Sequence, residues 1–307
     1  VPVSDDPTLA SQLEQSAGHP GDRWDALKDR VQASVIKEFS AIEDDWLGVL
    51  FCLDSYRSQS LVPRGMGNPK IAPAKRLAGI YRNKGNWYAD LIALLLSNRT
   101  SQSLAPRSRV EGFSQLHQID VAWPDRSVKP IQDPLICLET KVTGAPRFDG
   151  TPERGAMADW TNRRKELKFA ATDLKLNRRQ SETTIDHWDV WRTREKPKCY
   201  FLWGARLSKG DDIGKMVREV QALTNTYLDG AGIVAWQTGP HGYEPVSVTS
   251  SSPSDRISSV DDLLRRIANE IKELAPTGAP PPPQTPKNKI ANLVTLNAEA
   301  IDDISDP

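Results

Sequence analysis

From Arg23 to Asp54 the apolar residues Trp24, Leu27, Val31, Val35, Phe39, Ile42 and Trp46 recur at steps of three and four. That spacing predicts one or two amphipathic helices and a helical N-terminal region over residues 1–57. Pro63, Gly65, Gly67, Pro69 and Pro73 then break any regular pattern, so residues 58–84 read as a linker or basic loop. A core begins at Gly85 with a helical run in which Trp87, Leu91, Leu94 and Leu95 share a side. HQIDVAW and PLICLETKV, joined by a polar turn, read as a β-hairpin. Asp159 to Arg179 is a long basic helix with Trp160, Leu167, Ala170, Ala171 and Leu174 inward. The strand-like KCYFLWGARL and GIVAWQTG flank a helix over Asp211 to Leu228, and a last helix spans Val260 to Leu274. Strand, helix, strand predicts parallel pairing, hence an α/β core over residues 85–275 with one antiparallel edge. PTGAPPPPQTP opens a Pro-rich linker and flexible tail, 276–307.

Composition adds little to this picture: 38% apolar and 26% charged residues describe an ordinary soluble domain without a membrane-length apolar run. Cys52, Cys137 and Cys199 are too few and too scattered for a disulfide framework or metal knuckle, and no secretion signal opens the chain, so a cytoplasmic setting is expected. Charge changes the picture more. The formal net charge of zero is a sum of opposed segments, with an acidic first 57 residues followed by a cationic stretch from Arg64 to Arg109 that holds one acid, Asp90. A cationic segment on its own is as readily a solvated face as a phosphate contact.

The hairpin carries the candidate chemistry. Alternation along PLICLETKV places Leu135, Cys137, Glu139 and Lys141 on one face and Ile136, Leu138 and Thr140 on the other. A turn centred between Lys129 and Pro130 pairs residues whose numbers sum to about 259, which sets Asp120 opposite Glu139. Two carboxylates so placed repel unless a cation or a proton lies between them, and oxygen donors favour a hard ion such as Mg²⁺. The four histidines lack metal-ligand spacing, although His117 lies near the pair. Trp188, Trp191 and Trp203 read as core.

IDVAW and LETK resemble the hallmark of the PD-(D/E)xK nuclease superfamily, an acid on one hairpin strand and Glu-x-Lys on the next. The resemblance runs from Gly85 to about Gln237. It implies a restriction-endonuclease-like αβββαβ core with a mixed central sheet, most like that of a type II restriction endonuclease. By resemblance, Asp120 and Glu139 would bind Mg²⁺, with Mn²⁺ as a substitute, the Thr140 carbonyl would add a ligand, and Lys141 would assist a water. Asp125 follows a proline as the family's first acid does, but it falls at the turn, and Asp120 is preferred. An additional acid is expected at Asp90 or Glu111. Arg107, Arg109, Arg163, Arg164 and Lys168 are candidate contacts to double-stranded DNA. The resemblance further implies a homodimer and a cognate DNA methyltransferase. The alternatives are a repair, recombination or modification-dependent nuclease of the same fold, or a non-catalytic DNA-binding or assembly protein.

Overall fold

The structure, a computed structural model, describes residues 20–61, 73–146, 153–176, 196–248 and 257–275, with the side chains of 55–61 and 73–81 outside that description. The 276–307 tail, Trp188, Trp191, His19 and His187 therefore lie outside it. Three helices come first: α1 (Pro20–Ala33), α2 (Glu43–Leu61) and α3 (Pro73–Thr100). A mixed sheet and three more helices follow: β1 (Ala105–Glu111), β2 (Leu116–Trp123), β3 (Ile136–Thr143), α4 (Trp160–Leu176), β4 (Lys198–Arg206), α5 (Ile213–Thr224), β5 (Gly230–Gly239), β6 (Gly242–Val246), β7 (Ile257–Ser258) and α6 (Val260–Leu274).

The sheet runs β1-β2-β3-β4-β5-β6, and β7 joins β5. β1, β2 and β3 pair antiparallel, β3 with β4 and β4 with β5 parallel, and β5 with β6 antiparallel. The parallel pairing of β4 with β5 across α5 is the arrangement their apolar runs predict, since strands covered on both faces need no alternation. β4 is buried at every residue from Cys199 to Arg206.

One apolar cluster fills the face under α1, α2, α3 and α6, where Trp46, Tyr88, Leu91, Leu95 and Leu263 meet Val121, Leu138, Leu202 and Trp236. Trp46 stacks on Tyr88 at 5.5 Å and Trp24 on Trp87 at 5.7 Å. The second cluster lies under α4 and α5 and joins Leu167, Leu174, Met216 and Val220 to Ile119, Cys137, Phe201 and Trp203. Each aliphatic side chain withdrawn from water in these clusters contributes about 1.5–3 kcal/mol.

Two boundaries differ from the sequence reading. Helix α3 begins at Pro73 rather than Gly85, so residues 73–84 of the expected linker are helical, while residues 62–72 lie outside the description. Proline suits a first helical turn, and Gly85 costs only about 1 kcal/mol in a long helix. The N-terminal helices also share one core with the sheet instead of forming a separate layer. Three short strands, β1, β6 and β7, were not anticipated.

Candidate metal-binding active site

The predicted hairpin register is present: Val121 pairs with Leu138, Ala122 with Cys137 and Trp123 with Ile136, each summing to 259. At the next rung the ladder lapses, and Asp120 and Glu139 meet through their side chains instead. Asp120 Oδ2 accepts the Thr140 amide N–H and the Thr140 hydroxyl, each at 2.9 Å, and so takes the place of a main-chain partner. In an extended strand a residue's N–H and C=O project to the same edge, so the Thr140 carbonyl is turned toward Asp120.

Asp120, Glu139, Thr140 and Lys141 line one cavity of about 360 Å³ between the sheet and α4. Its other walls include His117 and Gln118 of β2, Trp203 of β4, and Trp160, Arg163, Glu166 and Phe169 of α4. Burial raises the Glu139 carboxyl well above its ordinary range, and the charge of Asp120 and a hydrogen bond to it push the same way. Burial also raises Asp120, opposed by the two Thr140 donors and by Lys141. Both carboxyls are therefore raised, Glu139 well above its ordinary range. Lys141 is lowered, first by burial and then by the Arg163 charge, while Asp120, Glu166 and Glu139 oppose the shift.

Among the described residues, no group of three or more His, Cys, Asp or Glu side chains is gathered to hold a metal ion. The local donor set is two carboxylates and one turned carbonyl, all oxygen. Two carboxyls raised by burial and by each other are ones that a divalent cation would separate and satisfy, and an all-oxygen donor set suits a hard ion. The residues present fit Mg²⁺ or Mn²⁺ on that ground, with the remaining positions left to water or phosphate.

The other predicted site residues scatter. Asp125 is at the turn, paired with Lys129 at 3.0 Å and with the Ser103 hydroxyl, away from the cavity. Asp90 and Arg107 pair with each other on the α3 side of the sheet, and Glu111 ends β1; none of the three lines the cavity. Arg163 lines it and bridges to Glu166 at 2.5 Å, while Arg164 pairs with Glu219 at 2.8 Å and Lys168 lies over the Tyr227 ring. Arg109 is exposed on the β1 edge. Trp203 is core, as predicted, stacked on Trp160 at 4.4 Å.

Sequence reasoning missed Glu166 as a third acid at the cavity, because its place depends on where α4 crosses the sheet. It also missed the partner of His117. The Nε2 of His117 meets Asp173 Oδ2 at 2.7 Å beneath the cavity rim, and Asp173 accepts the Ser114 amide as well. His117 and Asp173 stand fifty-six residues apart, so no local spacing signals the pair. Comparisons with protein-family models, curated proteins and solved structures returned no match. No described helix is long and apolar enough to cross a membrane.

Proposed function

We propose that the protein is a Mg²⁺-dependent endodeoxyribonuclease, and that it cuts double-stranded DNA at a specific sequence. One observation carries this reading. Two carboxyl groups on adjacent strands, Asp120 and Glu139, meet through their side chains beside Lys141, and all three residues line one cavity. The order α3-β1-β2-β3-α4-β4, antiparallel through β3 and then parallel, supports it, because it is the αβββαβ order that the LETK resemblance implies.

Asp120, Glu139 and the Thr140 carbonyl would hold the ion. Mg²⁺, when bound, supplies Lewis-acid polarisation of a phosphoryl oxygen. Lys141, whose proton affinity burial and the Arg163 charge lower, would orient the attacking water and offset the negative charge that develops on the phosphoryl group. The two Thr140 donors favour the charged form of Asp120 against the burial that raises its carboxyl. Arg163, which lines the cavity on α4, would contact the nucleic-acid backbone. Cleavage of both strands requires two such sites, which a homodimer would supply, and a cognate methyltransferase would protect host DNA.

The test is digestion of unmethylated plasmid and phage DNA with Mg²⁺ by wild type, Glu139→Ala and Lys141→Ala. Discrete fragments are expected from wild type, with a loss of about a hundredfold or more in each variant. Equal cutting by wild type and Glu139→Ala would refute the assignment. No metal-dependent cutting of duplex, single-stranded or modified DNA would favour a non-catalytic DNA-binding role.

A further inference from the structure

Regular pairing fails on both sides of Asp120. Toward β3 the ladder stops at Val121 and Leu138. Toward β1 the register holds from Ala105 opposite Ala122 to Glu111 opposite Leu116, yet the rung that would join Arg107 to Asp120 is absent. At that rung Arg107 has φ +47°, in the left-handed region that residues other than glycine rarely adopt.

Both strands change face there. Ile119 and Ala122 stand three apart but belong to the same apolar cluster under α4, where an unbroken strand would send them to opposite faces. His117 lines the cavity on that side as well. Ala105 and Val110, five apart on β1, likewise share the cluster. Each strand therefore changes face at the Arg107–Asp120 rung while the register on either side is kept, and at this break the Asp120 carboxylate turns onto Thr140.

The Arg107 side chain leaves for the other side of the sheet. Its Nη1 donates to the Asp90 carboxylate and, at 3.2 Å, to the Asn86 carbonyl, both on α3. The Gln118 side-chain amide donates to the Arg107 carbonyl. A conformation this uncommon persists where its surroundings hold it, and here the clamps are one ion pair and two hydrogen bonds.

We infer that the Asp90–Arg107 pair is a positioning device for Asp120: α3 holds the kink in β1, and the kink sets the Asp120 carboxylate on Thr140 and beside Glu139. The consequence for metal binding rests on the nuclease reading, whereas the geometric statement does not. Asp90 thus serves the site from the opposite face of the sheet, without touching the ion, and Arg107 serves it without touching DNA. A pair that merely fastened α3 to the sheet would leave Thr140 indifferent to its loss.

The test separates these cases through amide hydrogen exchange and Mn²⁺ titration followed by electron paramagnetic resonance, on wild type, Asp90→Asn, Arg107→Gly and Arg107→Lys. Asp90→Asn is nearly isosteric, and glycine tolerates the positive φ, so neither needs a new backbone. Both are expected to speed exchange of the Thr140 amide about tenfold or more while the Leu138 amide stays protected. Both are also expected to weaken Mn²⁺ about 10–100-fold, as loss of a group that orients a ligand does. Arg107→Lys, which keeps the charge, should recover part of each effect. Unchanged Thr140 exchange in Asp90→Asn and Arg107→Gly would overturn the inference. Mn²⁺ binding that was absent from wild type would overturn the nuclease reading alone, and the exchange result would still decide the geometry.

Discussion

Lys84 and Lys141 are both drawn into the protein beside carboxylates, and they end in opposite circumstances. Lys84 of α3 is 1% exposed and lies 2.5 Å from Asp54 of α2, which also accepts the Tyr243 hydroxyl of β6 at 2.6 Å. The ammonium and the carboxylate are both buried, each at 2% side-chain exposure. Lys141 stands beside two carboxyl groups that meet through their side chains, with Glu166 at the same cavity. The sealed group pairs one ammonium with one carboxylate and joins three elements, whereas the open group gathers three carboxyl groups, Asp120, Glu139 and Glu166, around Lys141 and Arg163 at a cavity. Burial alone therefore does not mark a functional charge in this fold. What sets the open group apart is an excess of carboxyl groups over cations at a cavity, the feature on which the proposed nuclease reading rests.

The contrast breaks most visibly at Asp54. Asp54→Ala would strand the Lys84 ammonium in an apolar layer, and the expected loss is about 3–5 kcal/mol of folding stability, as for other buried pairs deprived of one partner. Denaturant titration measures it. A loss below about 1 kcal/mol would show that the sealed group does not fasten α2 and α3 to β6, and the comparison would lose its structural arm.

A third carboxylate sharpens the same point at a smaller scale. Among the described residues Asp211 has no ion-pair partner; it accepts the Ser208 amide and hydroxyl at 2.8 Å and the Ala156 amide at 2.9 Å, and Ala156 belongs to the cavity wall. Burial raises its carboxyl, but these donors together with Met157 outweigh burial and leave it below the ordinary range. Asp211→Ala is expected to cost about 1–3 kcal/mol at neutral pH. The sign follows from the lowered value. The contribution is full above the unfolded carboxyl value of about 3.9 and fades as pH falls through the lower folded value. Stability curves of wild type and variant should thus converge below about pH 3, and a gap that stays constant down to that pH would mean the loop is held by something other than the carboxylate.

The hairpin was legible in the sequence because its turn is polar and its flanks alternate, which fixes register and with it the meeting of Asp120 and Glu139. The helices α4 and α6 were legible from their apolar spacing, and α6 spans the predicted Val260–Leu274. β1 was not. Its sequence APRSRVE is polar, it lies at the sheet edge, and the kink at Arg107 destroys the period-two signal that would have revealed it. The same kink explains why Asp90 and Arg107 read as a spare acid and a DNA contact. Each has the right charge, and only the three-dimensional path of β1 shows that they neutralise each other. Glu166 escaped for a related reason, since an acid on a basic helix has no spacing relation to a hairpin.

The smallest expected effect tests the open group. Burial and the nearby Asp120 already hold Glu139 toward its protonated form, and glutamine keeps that form's shape and its capacity to donate to Asp120. Glu139→Gln should therefore change folding stability by no more than about 0.5 kcal/mol, the range of substitutions that disturb no structural partner. Removing Asp54 from the sealed group would cost several times more. Equilibrium denaturation of the two variants under one buffer gives the ratio directly. If the glutamine cost rivalled that of Asp54→Ala, Glu139 would belong with the matched, sealed charges that fasten elements together. If it stayed near zero while cleavage was lost, the acid surplus in the cavity would be retained for the cation it can bind and not for the fold.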